Sequence, residues 1–200
     1  MLLHWSPASP FARKVLASAI ARRIESLIEV VETNPHASPA DLLKANPLSK
    51  VPCLIAEDGT GIYDSRAICD YLDSFGEAPP LTPAANPARL RVQVMHALGD
   101  GIMDAAVARR MQSAMPEEEA RTTFMNRQKA AVDRGLDRLE MDPPKGLDDV
   151  GAIAVASALG YLDFRFGSEP WRDTHPRLAA WFEEVSALPA LKETAPAAPK

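Results

Sequence analysis

Hydrophobic and polar residues follow two different spacings along this chain of 200 residues, and the spacing changes near residue 76. Before that point, short apolar or β-branched runs alternate with stretches in which apolar residues recur every three or four positions. These stretches predict a strand (1–5), a helix (10–24), a strand (26–32), a short helix (38–46), a hairpin (51–65) and a helix (64–76). The predicted order is therefore β-α-β, a short helix, then β-β-α.

This order predicts how the first domain is arranged. A strand, a helix and a strand in succession imply two parallel strands joined by a crossover helix, whereas the hairpin adds antiparallel strands. We therefore expect residues 1–76 to form a small mixed four-stranded sheet with helices on both faces. In the short helix, Ser38 is predicted as the N-cap and Pro39 as the first helical residue.

The rest of the chain has no strand pattern. The segment "GEAPPLTPAANP" contains four prolines and predicts a linker over residues 77–87. Helical spacing then covers four stretches: 88–115, 116–141, 149–166 and 175–188. The third has few charges, and we expect it to be the buried centre of an all-helical second domain, residues 88–200. Gly99 and Gly101 weaken the first helix and leave room for a partner helix or a ligand.

Composition and charge narrow the class of protein. The net charge is −5, the sequence pI is about 5.4, and no Lys/Arg cluster resembles the basic stripe of a nucleic-acid binder. The longest nearly apolar run, 151–162, is too short to span a membrane, and the first residues lack the basic region of a secretory signal. The four histidines show no metal-ligand spacing, so we expect no metal. Cys53 and Cys69 form no paired motif, which fits a reducing, cytoplasmic location.

Four further segments carry recognisable motifs: "SPFARKV" (9–15), "NPLSKVPCL" (46–54), "DSRAICDYL" (64–72) and "HPRLAAWFEEVSALPALKET" (175–194). In this order and at these spacings, they resemble the cytosolic glutathione S-transferases, in particular bacterial members with "SPFxRK" at the first helix. Two departures are Ser49, where the family usually has Gly, and 188–190, Leu-Pro-Ala instead of Arg-Pro-Ser. The resemblance implies a thioredoxin-like N-terminal domain, an all-helical C-terminal domain and a homodimer.

The resemblance also implies which residues bind glutathione. Val51 precedes Pro52, for which the family has a cis peptide bond, and would pair in strand fashion with the cysteinyl part of glutathione. Asp64 and Ser65 open a helix; Ser65 would hold the γ-glutamyl carboxylate and Asp64 the ammonium, in addition to capping the helix. Arg66 either adds positive charge near this carboxylate or lies in solvent.

The glycyl carboxylate, at the other end of glutathione, would lie near Lys50, with His36 and Lys44 as weaker candidates. A lone lysine is more often a solvated charge than a ligand. The binding set implied by the resemblance also includes Phe11 and Ser9 of the first motif.

Ser9 is the predicted catalytic residue. A glutathione S-transferase must present a thiolate, although a free thiol has a pKa of about 8.5. A hydroxyl that donates a hydrogen bond to sulfur favours the thiolate, and a helix N-terminus adds partial positive charge. Ser9, directly before Pro10, is placed to supply both. Ser6 on the same loop is the alternative, and so is a role for Ser9 as a helix cap only.

The serine also restricts the chemistry. It cannot form the mixed disulfide that a cysteine would, and both Cys53 and Cys69 are expected to be small buried hydrophobic residues. We therefore expect conjugation, in which the thiolate attacks a small hydrophobic electrophile between the domains. Asp100, Met103 and Arg109 of the long helix are candidates for lining that pocket. The alternatives are a non-catalytic glutathione-binding protein and a glutathione-dependent isomerase or reductase.

Overall fold

Four short strands form one mixed sheet in the computed structural model, which describes residues 1–198; Pro199 and Lys200 lie outside the described residues. The strands are β1 (Leu2–Trp5), β2 (Glu29–Glu32), β3 (Cys53–Ile55) and β4 (Gly61–Ile62). Their order in the sheet is β2-β1-β3-β4. β1 runs parallel to β2, while β3 is antiparallel to both β1 and β4. The predicted four-stranded mixed sheet is confirmed.

Three helices accompany these strands: α1 (Pro10–Ala21) between β1 and β2, α2 (Ala40–Ala45) between β2 and β3, and α3 (Ser65–Leu72) after β4. The prediction for the N-cap of α2 is wrong, because Pro39 occupies that position and no side chain caps the helix. Ser38 instead ends the preceding 3-10 turn, with φ at 48°. Its hydroxyl accepts a hydrogen bond from Ser49 at 2.9 Å. Ser38, which the sequence motif predicts as the N-cap of the helix, is therefore the C-cap of the preceding 3-10 turn.

The remaining chain is helical, as predicted. Its helices are α4 (Ala88–Gln112), α5 (Glu119–Met141), α6 (Val150–Arg165), α7 (Pro176–Ser186) and α8 (Pro189–Lys192). Together with the sheet domain they form the thioredoxin-like and all-helical halves that the sequence predicts. Within residues 1–198, no helix combines the length and the apolar character needed to cross a membrane.

Helix α6 is the centre of the core. Every residue from Val150 to Leu162 is buried, and α4 and α1 pack against this helix. Asp149 caps its N-terminus by accepting a hydrogen bond from the N–H of Ala152 at 2.8 Å. The predicted buried centre of the helical half is confirmed.

Helix α1 lies between the sheet domain and the helical domain, and three cations of this helix and its C-cap are buried. Arg13, Lys14 and Arg22 are at most 6% exposed. Arg13 donates to the carbonyl of Leu191 at 3.0 Å. Burial lowers the pKa of Arg13 to about 10, an effect that Asp163 partly offsets. The face of α1 that carries charged residues is therefore an interface rather than a solvated surface.

The predicted linker is anchored by one carboxylate, that of Asp73 just after α3. Its Oδ1 accepts from the N–H of Leu81 at 2.7 Å, and its Oδ2 from that of Thr82 at 2.9 Å. Arg22 lies beside it, with its Nε 3.3 Å from Oδ1. The carbonyl of buried Leu81 accepts from the N–H of Val150 at 3.1 Å, which ties the segment to α6 as well.

Candidate functional site

The loops at one end of the sheet bring most of the predicted site residues together. β1 pairs with β3 so that His4 faces Cys53, and the loop after β1 therefore lies beside the chain that leads into β3. β3 pairs with β4 so that Leu54 faces Ile62, and the chain leaving β4 ends at the same side. Three features converge there: the loop carrying Ser6 and Ser9, the Val51–Pro52 pair, and the start of α3 with Asp64 and Ser65.

Ser9 is the N-cap of α1. Its Oγ accepts a hydrogen bond from the N–H of Ala12 at 3.2 Å, and its own N–H donates to the carbonyl of Ser6 at 3.0 Å. A hydroxyl can donate one hydrogen bond while it accepts others. Within residues 1–198, the O–H of Ser9 has no acceptor. It is therefore free to donate at a point where the helix N-terminus concentrates partial positive charge.

Val51 presents an unpaired backbone to this end of the sheet. The Val51–Pro52 peptide bond is cis, as expected. Val51 is partly buried, whereas Pro52 and the following strand residue, Cys53, are buried. In the part of the chain that the structure describes, the N–H and C=O of Val51 make no hydrogen bond. A buried or half-buried backbone group without a partner is uncommon, and an extended ligand segment could supply both bonds.

The start of α3 presents a second set of polar groups. Asp64 is the N-cap, and its Oδ1 accepts from the N–H of Arg66 at 3.0 Å. Ser65 is only 2% exposed, and its Oγ has no hydrogen-bond partner among residues 1–198. Because helix N-terminal N–H groups and an unpaired hydroxyl favour an anion, this position suits a carboxylate.

The other residues of the predicted binding set are more peripheral. Lys50 is exposed, and its carbonyl accepts from the side chain of Asn46 at 2.9 Å. His36 and Lys44 are both exposed. Phe11 is partly buried and packs against the hydrophobic core. Of these four, Lys50 is next to Val51 in sequence.

A buried ionic cluster joins the two domains behind this site. The ammonium of Lys14, fully buried, lies 2.7 Å from Oδ1 of Asp100 and 2.8 Å from Nε2 of His96. The other oxygen of Asp100, Oδ2, accepts from Nε of Arg66 at 2.6 Å. Burial, and secondarily the charge of Lys14, lowers the pKa of His96 to about 4. His96 is therefore neutral at pH 7, and its Nε2 accepts from Lys14.

Asp104 is a further residue of this region, one turn beyond Asp100 on α4. Its pKa is raised by burial and by the charge of Asp100, while Lys50 and Arg66 act in the opposite direction. The i, i+4 spacing of two acidic residues on one helix face is the sequence signal that could have identified it.

The three residues predicted to line a second pocket have different environments. Met103 is completely buried in the core. Asp100 belongs to the cluster with Lys14. Arg109 is 6% exposed, lies over the ring of Phe166 at 4.3 Å and pairs with Glu169 at 2.5 Å. The structure therefore does not bring these three side chains together on one open surface.

Both cysteines are buried and reduced. Burial raises the pKa of Cys53 to about 11, and burial also raises the pKa of Cys69. A thiol with a raised pKa is a poor nucleophile. In the described part of the chain, no group of three or more His, Cys, Asp or Glu side chains could hold a metal ion.

Comparison with known proteins agrees with this architecture. Residues 8–74 match the family model described as "Glutathione S-transferase, N-terminal domain", and residues 104–184 match "Glutathione S-transferase, C-terminal domain". The chain is 32% identical to the uncharacterized GST-like protein YibF of Escherichia coli K12, over 98% of both chains.

Solved structures of similar sequence share the whole fold. A glutathione transferase family member from Pseudomonas fluorescens Pf-5, crystallised with bound glutathione, is 37% identical, with a TM-score of 0.90. The match covers 98% of this chain and 99% of that one. A glutathione S-transferase from Methylobacillus flagellatus KT, also with glutathione bound, is 34% identical over the same shares, with a TM-score of 0.89.

Proposed function

We propose that this chain, which belongs to the glutathione S-transferase family, is a glutathione transferase that presents glutathione as a thiolate to a small hydrophobic electrophile. One observation carries the proposal. Unpaired polar groups of three separate segments, namely the Ser9 hydroxyl, the Val51 backbone and the Ser65 hydroxyl, are placed at the same end of the sheet. Glutathione is an extended peptide with a carboxylate at each end, so its backbone, its sulfur and one carboxylate can form hydrogen bonds with these three groups.

In the proposed complex, Val51 pairs through its N–H and C=O with the cysteinyl unit, and Pro52 holds this segment against β3. The γ-glutamyl carboxylate accepts from Ser65 and the α3 N-terminus, with Arg66 adding positive charge. Asp64 accepts from the γ-glutamyl ammonium. Two further residues complete the set at its edges: Lys50 near the glycyl carboxylate and Phe11 beside Ser9.

The proposed reaction begins at Ser9. Its O–H donates to the sulfur of glutathione, which lowers the pKa of the thiol and increases the fraction of thiolate at neutral pH. The thiol proton passes to water, and the thiolate attacks the electrophilic carbon of the second substrate. As the carbon–sulfur bond forms, either a leaving group departs with its bonding electron pair, or the π bond of an activated double bond breaks and the adjacent carbon takes a proton from water. Because both cysteines are buried, thiol–disulfide exchange through the protein is disfavoured.

We place the second substrate beside the exposed face of α4 that begins at Asp104. Met111 follows Asp104 by seven residues and therefore lies on the same face of α4, whereas Met115 lies just beyond the end of this helix. Both are largely exposed. A flexible thioether surface accommodates electrophiles of different shape. Of the residues first considered for this pocket, Met103 and Arg109 are buried, and the carboxylate of Asp100 is paired with Lys14, so none of the three offers an open surface to the second substrate.

The family further supports a homodimer and a cytoplasmic location. Exposed Leu90 and Val94, four residues apart on α4, provide an apolar strip for a second copy of the chain.

Calorimetric titration with glutathione tests the proposal. The wild type should bind, and Ser65→Ala should weaken binding roughly tenfold, because a hydrogen bond to a charged carboxylate is lost. Ser26→Ala is the control, since Ser26 is exposed before β2, at the opposite end of the sheet. Absence of binding to the wild type would contradict the proposal. Binding without consumption of the thiol by any electrophile would favour a non-catalytic binding protein.

A further inference from the structure

We propose that Lys14 is a positioning residue for glutathione: it fixes Asp100, and through Asp100 it fixes Arg66 at the start of α3. The inference rests on the proposed function, because it concerns how the γ-glutamyl end of glutathione is held. Lys14 lies on α1, the helix that Ser9 caps, whereas the γ-glutamyl end of glutathione would bind at the start of α3.

The first step is the burial of Lys14. A lysine is almost never fully buried unless its charge is paired, because the ammonium loses its hydration. Lys14 is 0% exposed and has two partners, Asp100 at 2.7 Å and His96 at 2.8 Å. Neutral His96 serves as an acceptor and adds no competing charge. Both of these hydrogen-bond partners are residues of α4, which therefore holds the ammonium of Lys14 in place.

In the second step, the two oxygens of the Asp100 carboxylate contact side chains from two different helices. Oδ1 faces Lys14 of α1, and Oδ2 faces Arg66 of α3 at 2.6 Å. The Asp100 side chain is 8% exposed, so water screens these contacts little. With Lys14 in place, one oxygen is committed to α1 and the other remains directed at Arg66. Without Lys14, the carboxylate could rotate or be solvated differently, and Arg66 would lose a fixed partner.

The third step leads from Arg66 to the ligand. The Arg66 side chain is half exposed, so a surface ion pair alone would leave it mobile. Arg66 immediately follows Ser65, and the Asp100 contact determines where its guanidinium lies relative to the α3 N-terminus. Lys14 thus contributes to glutathione affinity without touching glutathione.

A double-mutant cycle on glutathione affinity tests this chain of contacts. Lys14→Met should raise the dissociation constant for glutathione roughly tenfold. Arg66→Gln should also raise it, and the double variant should match Arg66→Gln within about twofold, because Lys14 acts through Arg66. Since Lys14 acts on the γ-glutamyl end of glutathione through Asp100 and Arg66, Lys14→Met should raise KM for glutathione while the pKa of the bound thiol stays unchanged. Lys129→Met, which removes an exposed ion pair with Asp133, is the control and should leave affinity unchanged.

Several results would overturn the inference. If the Lys14 and Arg66 effects multiply, Lys14 acts on general packing rather than through Arg66. If folded Lys14→Met binds glutathione as tightly as the wild type does, the positioning role of Lys14 is wrong and the proposed function stands. If the wild type itself does not bind glutathione, the proposed function is contradicted as well. Should Lys14→Met not fold, the ammonium signal of Lys14 in the wild type can be followed by NMR. It should shift on addition of glutathione, and an unshifted signal at saturation contradicts the coupling.

Discussion

Gly99 in α4 packs directly against the backbone of Ala154 in α6. A Cβ on Gly99 would lie 2.8 Å from the carbonyl carbon of Ala154, a distance that non-bonded carbons do not adopt. Because the obstacle is backbone of a fully buried helix, it cannot rotate away. The close approach that the sequence suggested for this glycine is an approach between two helices of the core.

Gly99→Ala should therefore destabilise the protein, by about 2 kcal/mol or more, since α4 must move away from α6. Gly101→Ala in the same helix is the matched control, because nothing lies within 4 Å of the position its Cβ would occupy. That variant should be up to about 1 kcal/mol more stable, since alanine favours the helix. Urea unfolding measures both, and an equal effect of the two substitutions would disprove the packing argument.

Asp73→Ala should lower the free energy of unfolding by about 3 kcal/mol, because it leaves two linker N–H groups without their acceptor and removes the carboxylate beside buried Arg22, which keeps only its backbone carbonyl partners. Denaturant unfolding again measures the change. Asp133→Ala provides the comparison, since that carboxylate pairs with Lys129 on the exposed face of α5. Its loss should change stability by less than about 1 kcal/mol. Similar losses for the two variants would show that Asp73 does not anchor the linker.

His96 should make stability fall in mildly acidic solution. Its pKa is about 4 in the folded chain and 6.5 when unperturbed, so the unfolded chain takes up a proton first. Stability is fully present above pH 6.5 and declines as the pH falls towards 4, by at most about 1.4 kcal/mol per pH unit. The groups that face it are Lys14, Asp100, Arg66 and Asp64.

The comparison with His96→Gln isolates this contribution, because the other acidic groups are common to both proteins. If the wild type is the more stable of the two at pH 7, the difference between its unfolding free energy and that of His96→Gln should shrink as the pH falls from 7 to 4. Parallel curves over this range would mean that His96 titrates normally in the folded state.

Much of the fold could be predicted from local sequence, because periodicity, proline and glycine act over a few residues. The sheet, the long helices and the buried α6 follow from such patterns. The cap of α2 could not, because a Ser-Pro pair is compatible with closing a turn as well as opening a helix. The hydroxyl of Ser38 is used by Ser49, eleven residues away.

The candidate site at Ser9, Val51 and Ser65 can be located from the sequence, because motifs mark these positions. The burial of Lys14 was not, since a lysine on an amphipathic-looking helix predicts a solvated face. Only the second domain, packing on that face, supplies His96 and Asp100 as partners more than 80 residues away. Pairings between distant segments leave no local signal.

The pKa of the glutathione thiol, measured while glutathione is bound, tests the central claim most directly. The ultraviolet absorbance of the thiolate can be titrated with pH for the wild type, Ser9→Ala and Ser6→Ala. The wild type should lower the thiol pKa well below its free value of about 8.5, Ser9→Ala should restore most of that value, and Ser6→Ala should resemble the wild type. An unshifted thiol pKa in the wild type, or an equal shift in Ser9→Ala, would contradict the account.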